Sequence, residues 1–279
     1  MSIDIICQFL INLFNQNYSY SSLNTARSAL SFFFSHKIDL GSNEDVSRLF
    51  KFFFRKRPSL PRYLVTWDVD KLLTFLKSWH PIQQLSLQQL TLKTVTLVAV
   101  CSSDRAATLE SININHSELV EDGILFPIYK LLKGHRQNRP IRVVKCSKID
   151  DPSLDVCSYV AGYLQRTYKF RLRAVANGGE KPTQLFLSYY NGKPIKKATI
   201  SRYILMKLDC AGIDTSCFKA HSARNIVPSL MKRKGCSPNV ILSQGDWANV
   251  TTFSKHYDKE SEDSPAGRLI QGILGKRRN

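Results

Sequence analysis

The string Ala220-His221-Ser222-Ala223-Arg224 carries the most chemical information in the chain. His221 and Arg224 stand three apart, a spacing that puts an imidazole and a guanidinium on one face of a helix. Guanidinium offers a planar fork of donors that matches phosphate oxygens. Imidazole exchanges a proton near neutral pH. Together they can meet one phosphate. Alone the pair is weak evidence, because His-x-x-Arg is more often a solvated or capping pair.

Moving outward sharpens the reading. Downstream come Gly245-Asp246-Trp247 and then Thr251-Thr252-Phe253-Ser254-Lys255-His256-Tyr257. Upstream, Ser86 and Gln89 have capping-box spacing and open a predicted long helix. Its stripe of Leu90, Thr94, Leu97, Val98 and Cys101 predicts burial, and it ends at Cys101-Ser102-Ser103, so Arg105 lies just past a core helix. Short β-like runs follow at Ile112–Asn115, Ile124–Ile128 and Ile141–Val144, separated by Asp122-Gly123 and by the stretch Gly134 to Asn138. They predict a small antiparallel sheet with Lys133-Gly134 in a hairpin. Helices resume over Ser153–Arg173, pause at Gly178-Gly179 and at an Asn191-Gly192 turn, and continue from Thr199.

The amino-terminal part reads as a separate helical unit. Ile3, Ile6, Phe9 or Leu10 and Leu13 fall at helical spacing, as do Leu23, Ala26, Leu30 and Phe33 or Phe34. A third short helix around Val46–Phe54 runs into Arg55-Lys56-Arg57, where Pro58 and Pro61 stop it. The predicted organisation is a helical domain over 1–58, a linker over 59–66 and a second domain over 67–279, opened by Asp68 as a helix cap.

Composition narrows the class of partner. The formal charge is +18 with a pI near 9.7, and such an excess usually answers a polyanion. The cations are spread along the chain rather than gathered on one amphipathic helix, which favours nucleic acid over a membrane surface. From Lys130 to Lys148 a cation recurs at every third residue, through Lys133, Arg136, Arg139, Arg142 and Lys145, with no acid among them. That run reads as a phosphate-tracking ribbon. No apolar run is long enough to span a bilayer, and the first segment carries Asp4 and lacks the features of a secretory signal. A soluble, intracellular protein is expected. The seven cysteines form no C-x-x-C pair and read as reduced core residues. No carboxylate cluster or Cys/His set has metal-ligand spacing, so neither metal nor other cofactor is expected.

The ordered series Arg105, Lys133, His221-x-x-Arg224, Trp247 and Tyr257 resembles the tyrosine recombinase (phage-integrase-like) family. That family has an Arg after a core helix, a Lys in a β-hairpin, His-x-x-Arg, a His or Trp, and then a Tyr. Trp247 resembles the Cre type, in which Trp replaces the commoner His. Leu60-Pro61-Arg62-Tyr63 with Thr66-Trp67-Asp68-Val69 resembles the recombinases of DIRS-type mobile elements and their relatives in animal genomes. Ser19-Tyr20-Ser21 to Arg27-Ser28-Ala29-Leu30 resembles the family's DNA-clamping helical domain. The catalytic resemblance runs from about Trp67 to Lys259.

The resemblance implies a mainly α, two-domain protein with a small antiparallel β-sheet: a helical core-binding domain and an α/β catalytic domain. It implies Tyr257 as nucleophile on DNA, Arg105 and Arg224 on the nonbridging phosphate oxygens, and Lys133 protonating the leaving 5′-oxygen. His221 would assist at the nucleophile, and Trp247 would donate its indole N–H. Lys130 and Arg136 rival Lys133 for the hairpin role. Arg105 can also be read as a helix cap, and Trp247 as core. DNA contacts are expected from Arg27, Arg55, Lys56, Arg57, Lys130, Arg136, Arg139, Arg142 and Lys219. A homo-tetramer on two duplex DNA sites is implied, each copy lending a C-terminal segment to its neighbour, in the nucleus. Two departures stand out. The position three after the first Arg, usually acidic, is Thr108, and the amino-terminal domain is short, as in a fragment or a protein that has lost an arm. Two alternatives follow: a domesticated DNA-binding protein on this fold with weak or no cutting activity, and a helical scaffold for RNA or acidic proteins.

Overall fold

Side-chain caps open all three helices of the amino-terminal unit. Ser2 accepts from the Ile5 N–H, Ser19 from Ser22 and Asn43 from Val46, each satisfying a donor that the first helical turn leaves unpaired. The helices are α1 (Ile3–Asn15), α2 (Tyr20–Phe34) and α3 (Glu44–Lys56). They close on Ile6, Leu10, Leu23, Leu40, Val46, Phe50 and Phe53. A buried side chain of this size contributes about 1.5–3 kcal/mol, so seven are a small core. Arg57 closes the unit: its guanidinium stacks on the Phe14 ring at 3.6 Å and donates to the Phe14 carbonyl. The computed structural model describes residues 2–58, 65–132, 137, 140–245 and 260–261. The chain divides into two units, residues 1–62 and 63–279.

The second unit is built around α5 (Leu87–Ser102), whose capping box between Ser86 and Gln89 is formed in both directions. Positions 90–100 of this helix are all buried. Thr91, Thr94 and Thr96 lie inside because each hydroxyl bonds the carbonyl four residues earlier, at 2.7–2.8 Å. The helix stops at Ser103, which takes a left-handed conformation (φ 56°). Packed on α5 are α7 (Val156–Ala176), α8 (Lys197–Cys210) and α9 (Ala223–Arg233). Two short helices, α4 (Val69–Lys77, capped by Asp68) and α6 (Ala106–Glu110), complete this layer, with α10 (Pro238–Gly245) beside α9.

An antiparallel sheet lies against one end of α5, with order β2 (Glu118–Val120), β3 (Gly123–Ile128), β4 (Arg142–Ser147). Phe126 opposite Val144 fixes the register, and both are fully buried. The β-like run Ile112–Asn115 is not a strand, a correction to the sequence expectation. Ile112 is core, Asn113 caps the short 3-10 turn Ile114–His116, and the edge strand begins only at Glu118. That strand is exposed along its length, so it has no alternation for a sequence pattern to report. The other two runs become strands close to their predicted limits. Gly192 sits at φ 70° in the expected turn, where an added Cβ would fall 2.7 Å from the Phe170 ring. A second, two-stranded parallel pairing joins β1 (Val65–Thr66) to β5 (Glu260–Ser261).

Lys93, on α5, is fully buried. Its ammonium donates to the carbonyls of Leu76, Trp79 and Ser153 and meets the Tyr159 hydroxyl, all at 2.7–2.8 Å. One side chain thereby joins α4, the loop before α7 and α7 itself to the central helix. Removal from water lowers its pKa to about 8. Among the described residues no helix is long and apolar enough to cross a membrane.

Candidate active site

Arg105 opens α6 directly after the left-handed turn that ends α5. Its side chain makes no capping bond to that helix. Thr108 is buried one turn on, its backbone N–H closing on the Arg105 carbonyl at 2.8 Å. His221 and Arg224 do not share a regular helix. His221 lies in the 3-10 turn Ala220–Ser222, and Arg224 is in the first turn of α9. The tighter turn still brings both to one small cleft, lined by Asp104 and Ala106 from the α6 side, Ser201 and Ile204 from α8, and Ala220, His221, Ala223 and Arg224. Alanines at 99, 106, 220 and 223 leave the cleft open. Arg224 is 2% exposed, whereas His221 stands at the exposed rim.

The electrostatics of the cleft are positive. The packed protein around His221, and then the charges of Arg224 and Arg105, hold its imidazole below the ordinary histidine range. The three groups are therefore within electrostatic reach, and an anion entering the cleft would relieve their mutual repulsion. Trp67 fixes the turn from behind. It is 1% exposed, and its indole N–H donates to Ser222 Oγ at 2.8 Å. Trp67 directly follows β1, whose partner β5 lies three residues beyond Tyr257 in the sequence.

The remaining expected site residues fall in three groups. Lys133, Arg136, Arg139, Trp247 and Tyr257 lie outside the described residues. Arg55, Lys56, Lys130 and Lys219 are exposed, and Arg27 is half-buried with its guanidinium over the Phe50 ring at 4.5 Å. Arg57 and Arg142 bond inward instead. Arg142, expected on the phosphate ribbon, grips Asp104 with Nε to Oδ1 at 3.0 Å and Nη2 to Oδ2 at 2.9 Å. It also donates to the carbonyls of Ser102, Ser243 and Gln244. Its side chain is 12% exposed and that of Asp104 is 4% exposed. A charge-assisted fork in such shelter is strong, so this cation serves the fold. Asp104 is a site residue that the sequence reading missed. Its only signal was an acid adjoining Arg105. Among the described residues, no group of three or more His, Cys, Asp or Glu could hold a metal ion.

The fold is shared with tyrosine recombinases of known structure. One is the XerH site-specific recombinase bound to palindromic difH substrate, in a post-cleavage complex. It matches at a TM-score of 0.57 and 14% identity, over 99% of this chain and 70% of that one. The Tn1549 transposon integrase in complex with circular intermediate DNA matches at 0.56 and 14%, over 94% and 83%. A lambda integrase dimer bound to a COC′ core site matches at 0.55 and 14%, over 93% and 80%. At this identity the likeness is one of fold: mostly helical, with a small three-stranded antiparallel sheet, as in the catalytic domain of tyrosine recombinases. No protein-family model matches the sequence. No curated protein is similar to it in sequence.

Proposed function

We propose that this chain is a tyrosine-type DNA strand-transfer enzyme, a site-specific recombinase or integrase that cuts and rejoins duplex DNA through a 3′-phosphotyrosine. The observation that carries the reading is that His221 and Arg224 line one cleft of a tyrosine recombinase fold, with the Arg105 charge within electrostatic reach of His221. The Tyr257 phenol oxygen attacks the scissile phosphorus, a bond forms from it to phosphorus, and the bond to the 5′-oxygen breaks. Arg105 and Arg224 hold the nonbridging oxygens, where negative charge builds. His221 takes or steers the phenol proton. Lys133 returns a proton to the leaving 5′-oxygen, and Trp247 donates its indole N–H to the phosphate. The phosphotyrosine conserves the phosphodiester bond, so rejoining by a second 5′-hydroxyl needs no ATP. Two guanidiniums carry the charge that a divalent metal carries in other phosphoryl-transfer sites.

The +18 charge and the exposed Arg55, Lys56, Lys130 and Lys219 fit a duplex partner. The assembly proposed is a homo-tetramer on two DNA sites, acting in the nucleus, with kinship to the Cre-like or DIRS-type recombinases of mobile elements. A second reading, a domesticated DNA binder without cutting activity, is favoured by Thr108 at the position that is acidic in the family. A duplex nicked beside the cut site decides between them. Covalent trapping in chelator supports the enzyme, and tight binding without trapping supports the binder.

A further inference from the structure

One side chain outside the cleft, Arg142, ties together the end of α5, Asp104 and α10. Arg142 is the first residue of β4, so it stands at the base of the segment that joins β3 to β4. Its two-pronged bond fixes Asp104, the residue before Arg105, and its bond to Ser102 O fixes the end of α5. Its other donors hold the carbonyls of Ser243 and Gln244 in the last turn of α10. Gln244 adds a bond of 2.7 Å from Nε2 to Cys101 O, so α10 is tied to the end of α5 twice.

We infer that Arg142 is a positioning residue for strand cleavage: through Asp104, which lines the cleft, it sets where the adjoining Arg105 stands relative to His221, and it locks α10 to the same corner. The inference rests on the function proposed above and adds a residue that this function does not require to touch DNA. Its chemistry is specific to arginine. One planar fork satisfies both Asp104 oxygens while its remaining N–H groups reach carbonyls on two other segments. A lysine ammonium keeps the charge but lacks the plane and the span. A displacement of about 1 Å at Arg105 would slow the step by about a hundredfold.

The test measures single-turnover adduct formation at saturating nicked duplex, with duplex affinity and the urea unfolding transition measured beside it. Arg142→Lys is expected to bind duplex within about threefold of wild type and to form adduct about a hundredfold more slowly. Asp104→Asn, which keeps the shape and loses the charge, is expected to follow it and serves if the lysine variant unfolds. In an Arg105→Ala background, Arg142→Lys should add little further loss, because one residue acts through the other. A merely structural role would make the two losses multiply, and that outcome overturns the inference, as does an Arg142→Lys rate within threefold of wild type. A readout without activity separates this inference from the functional reading. In the protein alone, NMR titration of His221 should show a higher pKa in Arg142→Lys, because the Arg105 charge that lowers it has moved. If wild type traps no DNA, the enzymatic reading falls while this titration still decides the placement of Arg105. An unchanged His221 titration overturns it.

Discussion

Trp67 Nε1 donates to Ser222 Oγ at 2.8 Å, joining two residues 155 positions apart. Ser222 lies between His221 and Arg224, so this bond fixes the turn from which both side chains project. Trp67→Phe should destabilise the second unit by about 1–3 kcal/mol, the usual cost of losing a buried hydrogen bond. Ser222→Ala should cost a similar amount by stranding the indole N–H. Urea unfolding of the double variant should show less than the sum of the two losses. Additive losses would mean that the bond carries no coupling.

Lys93 should prove indispensable to folding although it lies away from the cleft. Lys93→Met takes one donor from each of three carbonyls, of which Leu76 O and Trp79 O keep another partner, and it strands Ser153 O, a loss of about 1–3 kcal/mol. The pH dependence has a definite sign. Folding lowers the Lys93 pKa from 10.5 to about 8, so between those values the unfolded chain keeps a proton that the native state has given up. This group's contribution to stability therefore rises with pH across that window. The gap in unfolding free energy between wild type and Lys93→Met should widen from about pH 7.5 to 9.5. A gap that narrows would contradict the shift.

His221 should couple DNA binding to protons. Its pKa in the free protein lies below the ordinary value, so its contribution to stability is present above about pH 6.5 and lost as pH falls through the folded value. A phosphate in the cleft favours the charged imidazole, so binding should take up a proton. At constant ionic strength, duplex affinity should rise as pH falls from about 7.5 to 6, and His221→Gln should flatten that slope. Anisotropy titrations at several pH values check it. An equal slope in both proteins would place the phosphate elsewhere.

Duplex affinity should depend steeply on salt. With a net charge of +18, clamping DNA should neutralise on the order of ten phosphates, and affinity should drop by several decades between low and moderately high salt. A nearly flat titration would exclude a clamp. Lys219→Ala and Arg55→Ala should each reduce the slope by about one.

Much of this architecture was legible because it is written in local rules. The capping box at Ser86 and Gln89, the stripe on α5, the turn at Asn191-Gly192 and strands β3 and β4 all follow from spacing that survives into the folded state. The cleft was legible in part, since His221 and Arg224 have a short-range signature, though the first lies in a 3-10 turn rather than in a helix. What escaped was tertiary. Nothing local distinguishes Arg142 from the cations before and after it in an even ribbon, and only the fold shows that it turns inward to Asp104. Lys93 escaped for the same reason: a lysine on an apolar stripe reads as a surface interruption until three carbonyls converge on it.

The central claim is that Tyr257 becomes covalently joined to DNA, and mapping the trapped adduct tests it most directly. Wild-type protein is incubated in chelator with random-sequence duplexes nicked near each possible cut, digested, and the DNA-bearing peptide sequenced by mass spectrometry. The expected result is a 3′-phosphodiester on Tyr257, no adduct with Tyr257→Phe at unchanged duplex affinity, and adduct formation reduced by several orders of magnitude with Arg224→Ala. An adduct on any other residue, or tight duplex binding with no adduct at all, would contradict it.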